Sequence, residues 1–300
     1  MNYLKKTFLV IAFLATAAHY ANAQQSLIKY TQFADDLTPF NQAYSVLDKA
    51  GSVNSLVSKQ LVEIQNGAPT ALLLDANVPF ENINGAGGLV LKNNAEGPET
   101  LTEINAYFAK SIQLTTDQFL AVSLNAGVRK YVFQDPDPLD PEFEDVRQTD
   151  PNLGFGIMLY SDNYYLGLSA PELTIRSLGN AAAVSHVDLE NHYYFSGAYL
   201  TGDDDFKFKP AVLVAYAKGT AAVAAVSGTL YIKNVLGLGA EYRTDKQAAG
   251  IVSFTVDNFK LGYSYQVGTS PGNFGAANTA THEVTLSYRF GKGAANPKFL

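Results

Sequence analysis

Apart from His19 near the start, the chain carries three histidines, His186, His192 and His282, the side chains best suited to ligating a metal or moving a proton near neutral pH. His186 and His192 bracket Asp188 and Glu190, so residues 186, 188, 190 and 192 would share one face of a β-strand. Two imidazoles and two carboxylates on one face form a possible transition-metal ligand set. The surrounding signals are missing, however. No HExxH motif occurs, and Ser185 beside His186 has neither a nucleophile elbow nor a spaced partner. The chain contains no Cys, which excludes a disulfide framework, a thiolate metal site and a cysteine nucleophile. We therefore expect no catalytic residue, no resident metal and no cofactor. A polar strand face of this kind suits a lumen or an external rim.

Two further groups carry charge in a pattern. Glu241, Arg243, Glu283 and Arg289 sit at alternate positions of otherwise apolar segments and are candidate lumen charges. Acid facing base across a lumen can set ion selectivity, or the groups can simply pair there. Asp135, Asp137, Asp140, Glu142, Glu144, Asp145 and Asp150 crowd one stretch against a single Arg147, with Pro136, Pro138, Pro141 and Pro151 among them. Carboxylates suit hard cations, but EF-hand spacing is absent and the prolines oppose a compact cage, so a solvated external loop is expected. Asp203, Asp204 and Asp205 form a second acidic spot, on a turn expected on the periplasmic side. A formal charge of −7 and a pI near 5.1 argue against a nucleic-acid partner.

The elements that must position these groups show as period-two alternation. Phe259, Leu261, Tyr263, Tyr265 and Val267 interleave with Lys260, Gly262, Ser264 and Gln266; Val284, Leu286, Tyr288 and Phe290 do the same with Glu283, Thr285, Ser287 and Arg289. Phe206, Phe208, Pro210, Val212, Val214 and Tyr216 form another apolar file. About fourteen such segments follow Ser52, the first near 55–65, the sixth near 152–160 and the last near 281–290. Several approach ten residues, the length that crosses a bilayer when tilted. The long connections, 134–151, 171–188 and 268–280, follow odd strands, while the short ones mostly follow even strands, as an outer-membrane barrel requires. The expected fold is all-β, a transmembrane antiparallel up-and-down β-barrel of about fourteen strands. It also accounts for the composition: 47% hydrophobic, 16% charged, with 18 Tyr and 18 Phe. Tyr30, Phe133, Tyr160, Tyr164, Tyr193, Tyr199, Tyr231, Tyr242 and Phe290 are expected in the interfacial girdles.

Lys5 and Lys6 precede an apolar stretch from Phe8 to Ala18 and then Ala21-Asn22-Ala23, which reads as a secretory signal peptide cleaved before Gln24. The expected organisation is a signal peptide over 1–23, a plug or periplasmic segment over 24–51, the barrel over 52–290 and a tail over 291–300. Sequence does not choose between plug and periplasmic placement for 24–51.

Leu37-Thr38-Pro39-Phe40-Asn41-Gln42-Ala43-Tyr44 resembles the opening NPxYxNPAYAG of the PorP/SprF-type outer-membrane proteins of the Bacteroidetes type IX secretion system. Lys59-Gln60-Leu61 with Gly67-Ala68-Pro69-Thr70 is similar to that family's RxQW and GxPxT. Gly154-Phe155-Gly156-Ile157 with Tyr164 to Ser169 is similar to its GxG and YxGLS, and His282 to Phe290 to its closing HExxLxYxF. Lys209-Pro210, Glu241-Tyr242-Arg243 and Leu261 to Tyr265 fall in family order. Gln42, Ser45 and Leu61 depart from the pattern, as a divergent member would.

The resemblance implies a non-enzymatic barrel in the outer membrane of a Gram-negative bacterium. It would contact lipid, the type IX machinery and the C-terminal domain of a large secreted surface protein such as a gliding adhesin. The positions it marks are Asn41, Ala43, Tyr44, Gly67, Pro69, Gly167, Ser169, Pro210, Arg243, His282 and Glu283. The competing reading from the barrel alone is a passive pore or a transporter of hydrophobic solutes.

Overall fold

The computed structural model describes residues 27–60, 68–134, 145–175, 187–269 and 280–294. Fourteen long strands form one sheet: β1 Gly51–Gln60, β2 Thr70–Phe80, β3 Gly85–Glu96, β4 Glu99–Gln113, β5 Phe119–Phe133, β6 Val146–Tyr160 and β7 Tyr164–Thr174. It continues with β8 His192–Tyr199, β9 Phe206–Ala217, β10 Val223–Ile232, β11 Leu236–Arg243, β12 Gln247–Val256, β13 Phe259–Gly268 and β14 Thr281–Phe290. Thr201–Gly202 adds a two-residue pairing at the start of β9. Each strand pairs antiparallel with its sequence neighbours, and β14 pairs with β1, with Gly51 opposite Phe290, which closes the barrel. Closure matters physically because lipid offers no hydrogen-bond partner, and an open edge would leave backbone groups unsatisfied at several kcal/mol each.

Alternation now has a direction. In β4, Glu103, Asn105, Tyr107 and Ala109 are buried inside, whereas Ile104, Phe108 and Ile112 are exposed outside. Leu124 and Leu168 stand outward at 71% and 60% exposure. The outward coat is therefore apolar and the inward file mostly polar, as a lipid-embedded barrel demands. Connections after even strands, such as 81–84, 161–163 and 257–258, are short; those at 61–69, 134–145, 175–191 and 269–280 are long and lie at the other end. The short end is periplasmic and the long end external. Lys233 and Asn234, at φ 51° and 58°, make the tight β10–β11 hairpin in the left-handed backbone region, which suits the right-handed twist of the flanking strands.

Three expectations need correction. The first strand runs over 51–60 rather than 55–65, because Gly51 is already paired with Phe290. The sixth starts at Val146, paired with Phe133, so Pro151 and Asp150 belong to a strand and not to a loop. That end escaped detection because its inward file, Gln148, Asp150 and Asn152, is polar and buried, leaving little apolar signal. Among the expected girdle aromatics, Tyr193, Tyr199 and Tyr242 do face outward, at 44%, 47% and 54% exposure. Tyr30, Tyr160 and Tyr231 are buried inside instead, at 3%, 8% and 2%. Their hydroxyls explain it for two of them: Tyr160 bonds Ser111 and Tyr231 donates to Asp35 within the lumen.

Candidate functional site

Residues 27–50 lie inside the barrel. The segment starts at the external end, where Lys29 Nζ lies 3.0 Å from Glu96 Oε2 at the tip of β3. It finishes at the periplasmic end, where Arg289 Nε donates to Asp48 Oδ2 at 3.0 Å. Between these points Ile28, Tyr30, Phe33, Leu37, Phe40 and Leu47 pack on Met158, Tyr165, Tyr194, Leu213 and Ala225 of the wall. Here the inner face of β9 and β10 presents Ala211, Leu213, Ala215, Val223 and Ala225 beside the polar Lys209, Ser227 and Thr229, and the apolar members match the apolar side of the segment. Asn41 caps a short 3-10 turn, Gln42–Val46, its Oδ1 accepting from the Ala43 N–H at 3.1 Å.

The wall grips this segment mostly through backbone groups. Asn41 Nδ2 donates to the carbonyls of Ile157 and Leu168, paired residues of β6 and β7, at 3.3 and 3.4 Å. Gly156 and Gly167 make room for it, since a Cβ at either would strike the Asn41 side chain. Ser169 Oγ donates to the Phe40 carbonyl at 2.7 Å, and Lys209 Nζ to the Ala34 carbonyl at 2.6 Å. Glu283 accepts from the N–H groups of Thr31 and Gln32 at 3.0 and 2.9 Å. Asp35 takes Lys260 Nζ at 2.6 Å and the Tyr231 hydroxyl at 2.9 Å. Burial alone would raise the Asp35 carboxyl, but Lys260 and Lys209 outweigh it and hold it below its ordinary value.

Above the segment, towards the outside, lies a cavity of about 320 Å³. Its wall holds a buried network missed in the sequence: Lys92 pairs with Glu172, Arg129 Nε donates to Glu103 Oε1 at 2.7 Å, and His192 Nδ1 lies 2.5 Å from Glu172 Oε2. Lys92, Glu103, Arg129 and His192 sit on the file opposite the apolar one of their strands, whereas Glu172 shares the alternation of the outward Leu166 and Leu168 and turns inward past the β6–β7 register shift between Leu153 and Phe155.

Other marked positions are scattered. Ala43 is buried, and Tyr44 meets Tyr165 edge to face with centroids 5.7 Å apart. The Pro69 carbonyl accepts from the Gln60 N–H at 3.0 Å, and Gly67 lies outside the described residues. Pro210 stands just past Ala211↔Ala198, where the β8–β9 ladder stops. His282 lies near the membrane face, its Nδ1 2.8 Å from the Tyr263 hydroxyl. Of the four lumen charges, Glu283 and Arg289 hold the segment, Arg243 reaches Asp245 at 2.5 Å, and neither oxygen of Glu241 has a hydrogen-bond partner among the described residues. The supposed strand face 186–192 does not form: β8 begins at His192, 187–191 are irregular and His186 lies outside the described residues. Among the described residues no three His, Asp or Glu side chains gather as a metal site. Most of the acidic loop, 135–144, also lies outside them, while Asp150 is buried within the barrel at 1% exposure.

The pieces quoted for the resemblance thus converge. Asn41 of the opening belongs to residues 27–50, and Gly156, Gly167 and Ser169 of the middle, Lys209, and Glu283 of the close all meet that segment.

Comparison with known proteins follows the same line. The model of a family described as type IX secretion system membrane protein PorP/SprF matches residues 22–288. No curated protein matches the chain. Among solved structures, the CymD monoaromatic hydrocarbon channel is similar at 10% identity, with a TM-score of 0.52, over 92% of this chain and 95% of that one. The deltaS2S3 mutant of the TodX monoaromatic hydrocarbon channel is similar at 8% identity, with a TM-score of 0.50, over 89% and 95%. At such identities the likeness is one of barrel fold.

Proposed function

The chain belongs to the PorP/SprF family of type IX secretion system membrane proteins, and on that premise we propose that it is a plugged, non-enzymatic platform that helps export or hold one large surface protein. It is a β-barrel of the Gram-negative outer membrane and works with the type IX export machinery. The proposed client is a secreted protein such as a gliding adhesin, recognised by its C-terminal domain.

One observation carries this reading over a solute channel: the lumen is occupied from end to end by residues 27–50, tied to the wall at both mouths. A passive pore or hydrophobic-solute transporter needs that path open. Deleting the gene in the native bacterium should strand one particular surface protein; an unchanged surface proteome would sink the proposal. Purified protein in planar bilayers gives the second test. Silence agrees with a plugged platform, and steady single-channel conductance favours the pore.

A further inference from the structure

Towards the periplasmic end the plug meets β1 and β2 through oxygen atoms. Ser52 and Asn54 of β1 stand opposite Asn77 and Asp75 of β2 on the inward file, and Asp36 of the plug reaches them. Asn54 Nδ2 lies 3.1 Å from Asp36 Oδ2, 2.9 Å from Asp75 Oδ1 and 3.3 Å from Ser52 Oγ. An amide nitrogen has only two hydrogens for these three oxygens. Asp75 and Asn77 are 3% and 6% exposed, yet Asp75 Oδ2 and Asn77 Oδ1 have no hydrogen-bond partner among the described residues.

Two carboxylates thus share one neutral amide. The cations nearby are committed elsewhere: Lys260 Nζ lies 2.6 Å from Asp35 Oδ1, and Arg289 Nε donates to Asp48 Oδ2 at 3.0 Å. Among the described residues neither Asp36 nor Asp75 has an ion-pair partner. Like charges buried together without a counter-ion are strongly unfavourable. We infer that this cluster holds one calcium ion, shared between Asp36 of the plug and Asp75 and Asn77 of the wall.

The available atoms are hard oxygens from carboxylate, amide and hydroxyl groups, the donors calcium prefers. With two carboxylates the set falls short of three acidic or imidazole side chains, and amide and hydroxyl oxygens complete it. A cavity of about 110 Å³, lined by Asp36, Ser52, Asn54 and Asn77, lies beside the periplasmic turn residues Asp257 and Asn258 and gives the ion a way in with some of its water. Ligands drawn from three separate elements suit the loose six- to eight-fold shell of calcium better than the strict octahedron of magnesium. The bound ion would tie the plug to the β1–β2 hairpin.

The test is calorimetric titration of the full mature chain, purified in detergent and stripped with a chelator, with calcium alone. One saturable site is expected, with a Kd of about 10⁻⁴–10⁻³ M, the range of weak extracellular sites. Asp36→Asn and Asp75→Asn keep the side-chain shape and remove a buried charge; each should weaken binding at least about tenfold, the loss of one of two charged ligands. Asn77→Ala, which changes no charge, should weaken it too. Asp203→Asn, on the exposed acidic turn, should leave it unchanged, and the heat-dependent gel shift checks that each barrel is folded. No saturable binding by the wild-type protein overturns the site whatever the variants do. Undiminished binding in Asp36→Asn overturns the sharing with the plug, and undiminished binding in Asp75→Asn overturns the site. Equal weakening by Asp203→Asn reveals a general attraction to acidic surface and overturns it as well. Magnesium bound as tightly as calcium overturns the assignment of the ion.

Discussion

Glu283 offers the sharpest handle on the plug, because one buried carboxylate holds two successive backbone N–H groups of a segment 250 residues away, at 3.0 and 2.9 Å. Each hydrogen bond to a charged group contributes about 1.5–3 kcal/mol, so the pair contributes about 3–6 kcal/mol. Glu283→Ala also relieves the cost of burying the carboxylate, which brings the net loss to the lower end, about 3 kcal/mol. At 1.4 kcal/mol per factor of ten, the ratio of unseated to seated plug rises about 100-fold. Glu283→Gln keeps one acceptor and loses the charge, and should fall between, near tenfold. The reporter is Ser45→Cys, buried in the 3-10 turn of the plug in a chain that has no other thiol. Its rate of modification by a water-soluble maleimide measures the unseated fraction when seating is fast. The order Glu, Gln, Ala should appear as slow, intermediate and fast labelling. Equal rates in all three backgrounds, with the barrel still folded by its heat-dependent gel shift, would refute the assignment of Glu283 as an anchor.

The other contacts give further expectations. Asn41→Ala loses the cap, worth about 0.5–2 kcal/mol, together with its two bonds across the β6–β7 seam, and should also speed Ser45→Cys labelling. Asp35 is held below its ordinary pKa, so its contribution is present above about pH 4 and is lost as pH falls through the lower folded value; labelling should accelerate on acidification, and Asp35→Asn should flatten that limb. Arg129→Met leaves Glu103 buried without its closest cation, and thermal unfolding in detergent should register a loss of about 3–5 kcal/mol. Leu124→Arg puts a charge on the lipid face near the middle of β5 and should cost about 2–4 kcal/mol, read as a drop in reversible folding stability in bilayers and not in plug labelling.

The barrel was legible because its outer file is apolar almost without interruption: Phe259 to Val267 and Val284 to Phe290 announce strands by themselves. Where both faces are less distinct the signal failed, as at 146–151, whose inward Gln148 and Asp150 look like loop residues until their partners on β5 are known. The plug was legible only as an ambiguity. Its aromatics recur every three or four residues without a regular period, since they are spaced to meet a curved wall rather than one face of a helix or strand. Tyr30 and Tyr231 were misplaced for a related reason: a Tyr with a buried hydroxyl partner and a Tyr at the lipid interface have the same residue type. The charge network around Glu172 depends on strands far apart in sequence, so only the closed sheet brings Lys92, Arg129 and His192 together.

One consequence concerns the order in which the chain is made. Thr31, Gln32 and Asp48 emerge from the ribosome near the beginning, and their partners Glu283, Thr285 and Arg289 near the end. These contacts have almost the greatest sequence separation the chain allows, and distant contacts form late because a long loop must first be closed. A nascent or truncated chain lacking β14 would have both an open seam and an untethered plug. The last strand therefore completes two things in one step, the wall and its stopper, and a barrel that is sealed has necessarily been finished.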